Sequence, residues 1–141
     1  MDLSRAFFDE IVAHARAEQP NEACGIVAGK DGRAVSVYAM RNVERSPVIY
    51  RFESNEQKKI FREIDEMGWE LLAFFHSHPA TEAFPSATDR DIAVWRDPVT
   101  GEETPAYPGT RYLILSLRGE PEVRAFRFDG GEPVEEEVTI A

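Results

Sequence analysis

Two imidazoles and a carboxylate fall close together in Phe75-His76-Ser77-His78-Pro79 and the following Ser86 and Asp89, a donor set suited to a single metal ion. Two of the chain's three histidines lie here. The preceding Glu70-Leu71-Leu72-Ala73-Phe74-Phe75 is an apolar run of strand length, and strand residues i and i+2 point to one face, so His76 and His78 face the same way. Pro79 has no N–H for a ladder, which predicts that the strand stops where the second imidazole is presented. Asp89 follows a loop, Ala80 to Pro85, and an apparent helix start at Ser86, and is placed to supply a third ligand. Two His and one carboxylate leave one position open. That is the pattern of a catalytic zinc site, in which bound water has its pKa lowered to about 7. Structural zinc favours four closed ligands, often thiolates, and Cys24 is the one cysteine here.

Each piece also has a plainer reading. His-x-His on a strand is often solvent-facing or hydrogen-bonded. Ser86-Ala87-Thr88-Asp89 resembles a capping box, with a hydroxyl on free backbone N–H groups and a carboxylate near the positive helix end. Both can hold at once, since a cap fixes a ligand and a hydroxyl relative to a metal. Glu22, in Pro20-Asn21-Glu22-Ala23-Cys24-Gly25, stands just ahead of a small, apolar, β-prone run. As one of 26 acidic residues it reads as a solvated loop glutamate; beside a metal it reads as a general base.

Taken together, Glu22, His76-Ser77-His78-Pro79 and Ser86-Ala87-Thr88-Asp89 resemble the pattern of the JAMM metalloproteases, the zinc-bearing branch of the MPN domains, with no element missing. The resemblance implies that His76, His78 and Asp89 bind zinc, that Glu22 is the acid/base, and that Ser86 helps stabilise the tetrahedral oxyanion. It also implies an α/β fold, a single MPN/JAMM domain whose mixed sheet is flanked by helices, with zinc at the sheet edge.

The elements that must position these residues are legible from periodicity. Ser4 to about Glu18 carries Phe7, Phe8, Ile11, Val12 and Ala15 as a helical stripe, with His14 off it and exposed. Ala23 to Ala28 and Ala34 to Met40 read as a hairpin across Gly29-Lys30-Asp31-Gly32, and Arg51-Phe52 as a further short strand. Asn55 caps a helix to about Met67, with Ile60, Phe61, Ile64 and Met67 inward and Gly68 at its end. Asp89 to Arg96 reads as helix and Asp97 to Gly109 as a turn-rich loop. Tyr112 to Leu117 and Glu122 to Phe128 pair as strands, a short strand follows Asp129-Gly130-Gly131, and Glu135-Glu136-Glu137 is a solvated face. Six or seven strands are expected in all.

At 141 residues and 43% hydrophobic, the chain is one domain's worth, residues 1–141, long enough to bury a core without disulfide staples. A formal charge of −10 argues against affinity for nucleic-acid phosphates and permits a protein partner. No apolar run approaches the roughly 18 residues of a membrane span, and no signal peptide is read at Met1-Asp2-Leu3-Ser4-Arg5, so the expected compartment is the cytoplasm. Oligomeric state is left open. Cys24 reads as a small buried residue.

Beyond the metal motif, His14-Ala15-Arg16, Pro20 to Gly25, Asn42 to Pro47 and Ala80 to Ser86 resemble segments of the actinobacterial Mec-type peptidases. That resemblance implies hydrolysis of the amide at the C-terminal glycine of a ubiquitin-like sulfur-carrier protein, with release of cysteine for biosynthesis. Two alternatives stand beside it: a JAMM isopeptidase that removes ubiquitin-like modifiers from lysines or trims a carrier precursor, and a non-catalytic MPN scaffold or binding module. An extended carrier tail needs a slot, expected between the segment from Arg41 to Phe52 and the loop from Asp97 to Gly109.

Overall fold

Alternating apolar runs and turn residues produce three helices and ten strands in a computed structural model that describes residues 1–141. In chain order they are β1 (Asp2–Leu3), α1 (Arg5–Glu18), β2 (Cys24–Lys30), β3 (Arg33–Met40), α2 (Ser54–Glu66), β4 (Glu70–His78), α3 (Ala87–Ala93), β5 (Val94–Arg96), β6 (Glu103–Pro105), β7 (Arg111–Ser116), β8 (Glu122–Phe128), β9 (Pro133–Glu136) and β10 (Thr139–Ile140). Eight strands form a mixed sheet in the order β10-β1-β3-β2-β4-β7-β8-β9, while β5 and β6 make a separate antiparallel ribbon. β4 runs antiparallel to β2 and parallel to β7, so it is an interior strand, and it is the strand ends that carry the histidines.

Strand parity divides the core between the two faces of the sheet. Phe8, Ile11 and Ala15 of α1 pack with Val27, Phe75 and Leu113 on one side. Ile60 and Ile64 of α2 and Ala93 of α3 pack with Ile26, Phe74 and Ile114 on the other. His76 and His78 share the parity of Phe74 and so face the α2/α3 side. Gly25 is opposite Phe75 in the β2/β4 register, and a Cβ there would lie 2.2 Å from the Phe75 ring, so the close approach of these interior strands requires glycine.

Several local expectations change. Glu53, not Asn55, starts α2: its carboxylate accepts the N–H groups of Asn55 and Glu56, and Ser54 is already helical. Met67, past the last helical residue, is 56% exposed rather than inward. Arg51-Phe52 forms no strand. Helix α3 stops at Ala93, because Val94-Trp95-Arg96 are β-prone and pair with Glu103–Pro105 across a turn in which the Asp97 carboxylate accepts the Val99 and Thr100 N–H groups. The loop from 97 to 109 therefore contains a strand. Glu135 and Glu136 lie in β9 and reach Arg124 and Arg111, and Glu135 and Glu137 stay exposed, so the acidic run is a solvated face at the sheet edge. His14 is half-buried, its Nε2 lying 3.2 Å from the Cys24 carbonyl and 3.1 Å from that of Met40, and it ties α1 to the β2–β3 hairpin.

Candidate metal centre

Because β4 ends at His78, its last two same-face side chains, level with Ile114 and Ser116 of β7, lie at the strand's C-terminal end and meet Asp89 of α3. His76 Nε2, His78 Nε2 and Asp89 Oδ2 form a nearly equilateral triangle, with His76 to His78 3.2 Å, His76 to Asp89 3.1 Å and His78 to Asp89 3.0 Å. All three residues are buried. Ligand bonds of about 2.0–2.2 Å in tetrahedral geometry place donors about 3.3 Å apart, close to these edges.

The tautomer of His78 and the aim of Asp89 are set by their neighbours. His78 Nδ1 lies 2.8 Å from the Glu82 carbonyl, which can only accept, so Nδ1 carries the hydrogen and the neutral ring turns its Nε2 lone pair toward Asp89. Asp89 is aimed by the cap of α3: the Ser86 N–H donates to Oδ2 at 2.9 Å while Ser86 Oγ accepts the Asp89 N–H at 3.1 Å. Three potential ligand atoms thus converge in a buried place, and Asp89 Oδ1 and His76 Nδ1 have no partner. Such a set repels itself unless a positive charge stands between its members. The donors fit a divalent metal of the zinc type.

The titration behaviour has the same cause. Burial opposes protonation of His78, but its bonds to Asp89 and the Glu82 carbonyl outweigh it and raise its pKa. Burial pushes Asp89 up, yet the two histidines and the Ser86 N–H hold it well below the usual carboxylate range. A proton on His78 does part of what a cation would.

Glu22 sits just before β2. Extending the Cys24↔His76 register by two residues puts it opposite His78, and it is 3% exposed, with Oε1 unpartnered. Burial, then the charge of Asp89, push its carboxyl up to about 8. A cation alongside favours the ionised form instead. Since folding raises this pKa, the associated stability is full below the ordinary glutamate value and is lost as pH rises through about 8. Metal-stripped Glu22→Gln protein is therefore expected to exceed metal-stripped wild type in stability by about 2–4 kcal/mol at pH 9, a gap that closes near pH 4.5 in denaturant melts.

A cleft of about 510 Å³ opens beside these groups, lined by Glu22, His78, Ser86 and Thr81 and by Pro47 and Val48. A second pocket of about 360 Å³ is lined by Ile49, Tyr50, Phe52, Phe74, Tyr107 and Tyr112. The two segments expected to border a slot both contribute to this second pocket. Tyr50 connects the two regions, its ring stacked on His76 at 4.7 Å. Neither that stack nor the Glu82 carbonyl is readable from the sequence, although the shortness of the His78–Ser86 loop requires something in it to pass near His78. Cys24 is buried with its thiol pushed up to about 12 by burial, so thiol alkylation of the folded protein at pH 8 is expected to leave it unmodified by mass spectrometry.

The Prok-JAB family, prokaryotic homologs of the JAB domain, matches residues 4–129. The CysO-cysteine peptidase of Mycobacterium tuberculosis is 37% identical over 134 residues, 92% of this chain and 84% of its own length. The desampylase of Haloferax volcanii is 36% identical over 118 residues, covering 79% of this chain and 76% of that one. Among solved structures, a Desulfitobacterium hafniense protein superposes with a TM-score of 0.82 at 34% identity, over 99% of this chain and 92% of the other.

Proposed function

This chain belongs to the Prok-JAB family and is a JAMM-type peptidase, and from that premise we propose that it is zinc-dependent and hydrolyses the amide at the C-terminal glycine of a ubiquitin-like sulfur-carrier protein, releasing cysteine. The observation that carries the reading is the convergence of His76 Nε2, His78 Nε2 and Asp89 Oδ2 beside a cleft lined by the buried carboxyl of Glu22 and by Ser86. The 37% identity to a CysO-cysteine peptidase supports the choice of substrate.

His76, His78 and Asp89 hold the metal. When bound, it polarises the scissile carbonyl and acidifies the attacking water. Glu22 takes the proton of that water and returns it to the departing amine nitrogen, which is why its carboxyl lies against the ligands without joining them. The Ser86 hydroxyl accepts the Asp89 N–H through its oxygen and keeps its own hydrogen free to donate to the oxygen of the scissile carbonyl as negative charge develops there. Ser86→Ala is expected to lower kcat about 10²-fold and to cost about 1 kcal/mol of stability, because both the donor and the helix cap are lost; steady-state kinetics and a thermal melt read the two separately.

The carrier tail is extended and narrow at its glycine end. It enters along the aromatic pocket, bordered by the segment from Glu44 to Phe52 and by Tyr107, and leaves the cysteine end toward the Glu22 cleft. No helix is long and apolar enough to cross a membrane, and the compartment we assign is the cytoplasm, where such a carrier would be met. The domain is taken to span residues 1–141.

The test is mass spectrometry of a purified cysteine-adducted carrier incubated with the protein, with and without chelator. Loss of one cysteine, blocked by the chelator, is the expected result. An adduct left intact while a lysine-linked conjugate is cleaved would favour the second reading, an isopeptidase, which the 36% identity to a desampylase supports. An inert adduct and an inert conjugate would restore the non-catalytic scaffold.

A further inference from the structure

Between β3 and α2 the chain runs from residue 41 to residue 53 with no helix or strand, yet one side chain organises most of it. Asn42 is 4% exposed and uses all four of its amide hydrogen-bonding positions. Its Nδ2 donates to the carbonyls of Glu22 and Ile49, both at 3.0 Å, and its Oδ1 accepts the N–H groups of Glu44 and Arg51, both at 3.1 Å. The Val43 N–H adds a bond to the Arg51 carbonyl, so residues 42–51 close into a strap whose two ends meet at one amide. Arg45 within it holds a φ of 47°, a left-handed conformation that non-glycine residues adopt only when their surroundings enforce it.

The same strap holds Glu22 from both sides. The Glu22 N–H donates to the Ser46 carbonyl at 2.8 Å, and the Glu22 carbonyl accepts from Asn42. Bonding to β4 reaches back only to Ala23, whose carbonyl accepts the Ser77 N–H at 3.0 Å, so both backbone hydrogen bonds of Glu22 itself go to the strap. The strap is also the partition between the two pockets: Pro47 and Val48 face the Glu22 cleft, while Ile49 to Phe52 face the aromatic pocket. Tyr50, stacked on His76, pins it against the metal ligands.

We propose that Asn42 is a positioning residue for the peptidase reaction: its amide locks the 42–51 strap to the backbone of Glu22, so that the acid/base carboxylate and the wall between the two substrate pockets are held as one rigid unit. This rests on the assignment of Glu22 as acid/base. A full set of buried bonds explains the choice of Asn over Asp. Asp retains both acceptor bonds to Glu44 and Arg51 but cannot donate to Glu22 and Ile49 when ionised, and it sets a negative charge against two carbonyl oxygens.

The experiment compares Asn42→Asp with wild type and with Ile11→Val, a core substitution on the opposite face of the sheet. All three are loaded with one zinc per chain and assayed on the cysteine-adducted carrier at a temperature where each is folded by circular dichroism. Asn42→Asp is expected to lose at least about tenfold in kcat, since a reacting group misplaced by a fraction of an ångström forfeits that much, while Ile11→Val keeps the wild-type kcat. A smaller fall, or an equal fall in Ile11→Val, overturns the proposal. Amide hydrogen exchange on the wild-type protein supplies a readout independent of both activity and the folding of a variant. The N–H groups of Glu22, Glu44 and Arg51 should show protection factors within about threefold of one another once intrinsic rates are divided out, because they open together. Wider divergence shows that strap and Glu22 are not one unit and overturns the proposal even if the enzyme is active. If wild type cleaves no adduct, it is the functional reading that fails, and the exchange result alone decides whether Asn42 couples strap to Glu22.

Discussion

Replacing Glu22 by Gln is expected to leave metal content at the wild-type level and to reduce turnover of the carrier adduct by about 10²–10⁴-fold, the range that positioned general acid/base help supplies. Gln fills the same volume and restores a neutral group to a site where burial already pushes the carboxyl up to about 8, so the fold does not suffer. What it lacks is a basic oxygen that can take a proton and return it. The prediction discriminates because Glu22 stands outside the donor triangle: His76, His78 and Asp89 are within hydrogen-bonding distance of one another, whereas Glu22 Oε1 has no partner at all. Elemental analysis and single-turnover kinetics on one preparation check both halves. Loss of metal would show that Glu22 is a ligand, and full activity would revive the non-catalytic scaffold.

The residues of the triangle were legible because the rules that bring them together are local. Strand parity puts His76 and His78 on one face, Pro79 ends the ladder, and the Ser86–Asp89 spacing is that of a helix cap, each within a few positions of sequence. Both readings of the cap proved compatible, since the capping box is what aims Asp89 Oδ2 at the imidazoles. Glu22 is flagged by its position at the start of a β-prone run, and the antiparallel β2/β4 register brings it opposite His78 while the strap fixes its backbone. The hairpin, the helices α1 and α2 and the strands β7 and β8 follow from periods of 2 and 3.6 residues. What escaped depends on distant partners. Asn42 reads as an ordinary loop residue until Glu22, twenty positions earlier, is folded against it. Strand β1 is two residues long and exists only because β10 and β3 flank it. Val94-Trp95-Arg96 continued a helical stretch in sequence, but pairing with Glu103–Pro105 gave the β-prone residues a better use. His14 lay off the apolar stripe of α1, and two sheet carbonyls beyond that stripe claimed its ring nitrogen.

His78→Ala is expected to lose the metal altogether, with elemental analysis falling from about one equivalent to near zero and turnover falling to that of chelator-treated wild type. His78 is the member of the triangle whose second ring nitrogen holds the Ala80–Pro85 loop. Its Nε2 closes two of the three edges, and its Nδ1–H holds the Glu82 carbonyl, which fixes the loop that carries Ser86 and Asp89. Removing the ring therefore withdraws one donor and loosens the loop that leads to Ser86 and Asp89, where a substitution of His76 withdraws one donor and the stack on Tyr50 but leaves that loop tied. A ligand that binds the folded state alone adds stability, so chelator is expected to lower the melting temperature of wild type and to leave that of His78→Ala unchanged. The contrast with Glu22→Gln is what gives the pair its force: one variant keeps metal and metal-linked stability while losing turnover, the other loses all three. A His78→Ala protein whose melting temperature still dropped with chelator would place the metal on a different set of donors. Acid gives a third route to the same state, because protons compete with a metal for the imidazole and carboxylate donors, and wild type should release metal as pH falls.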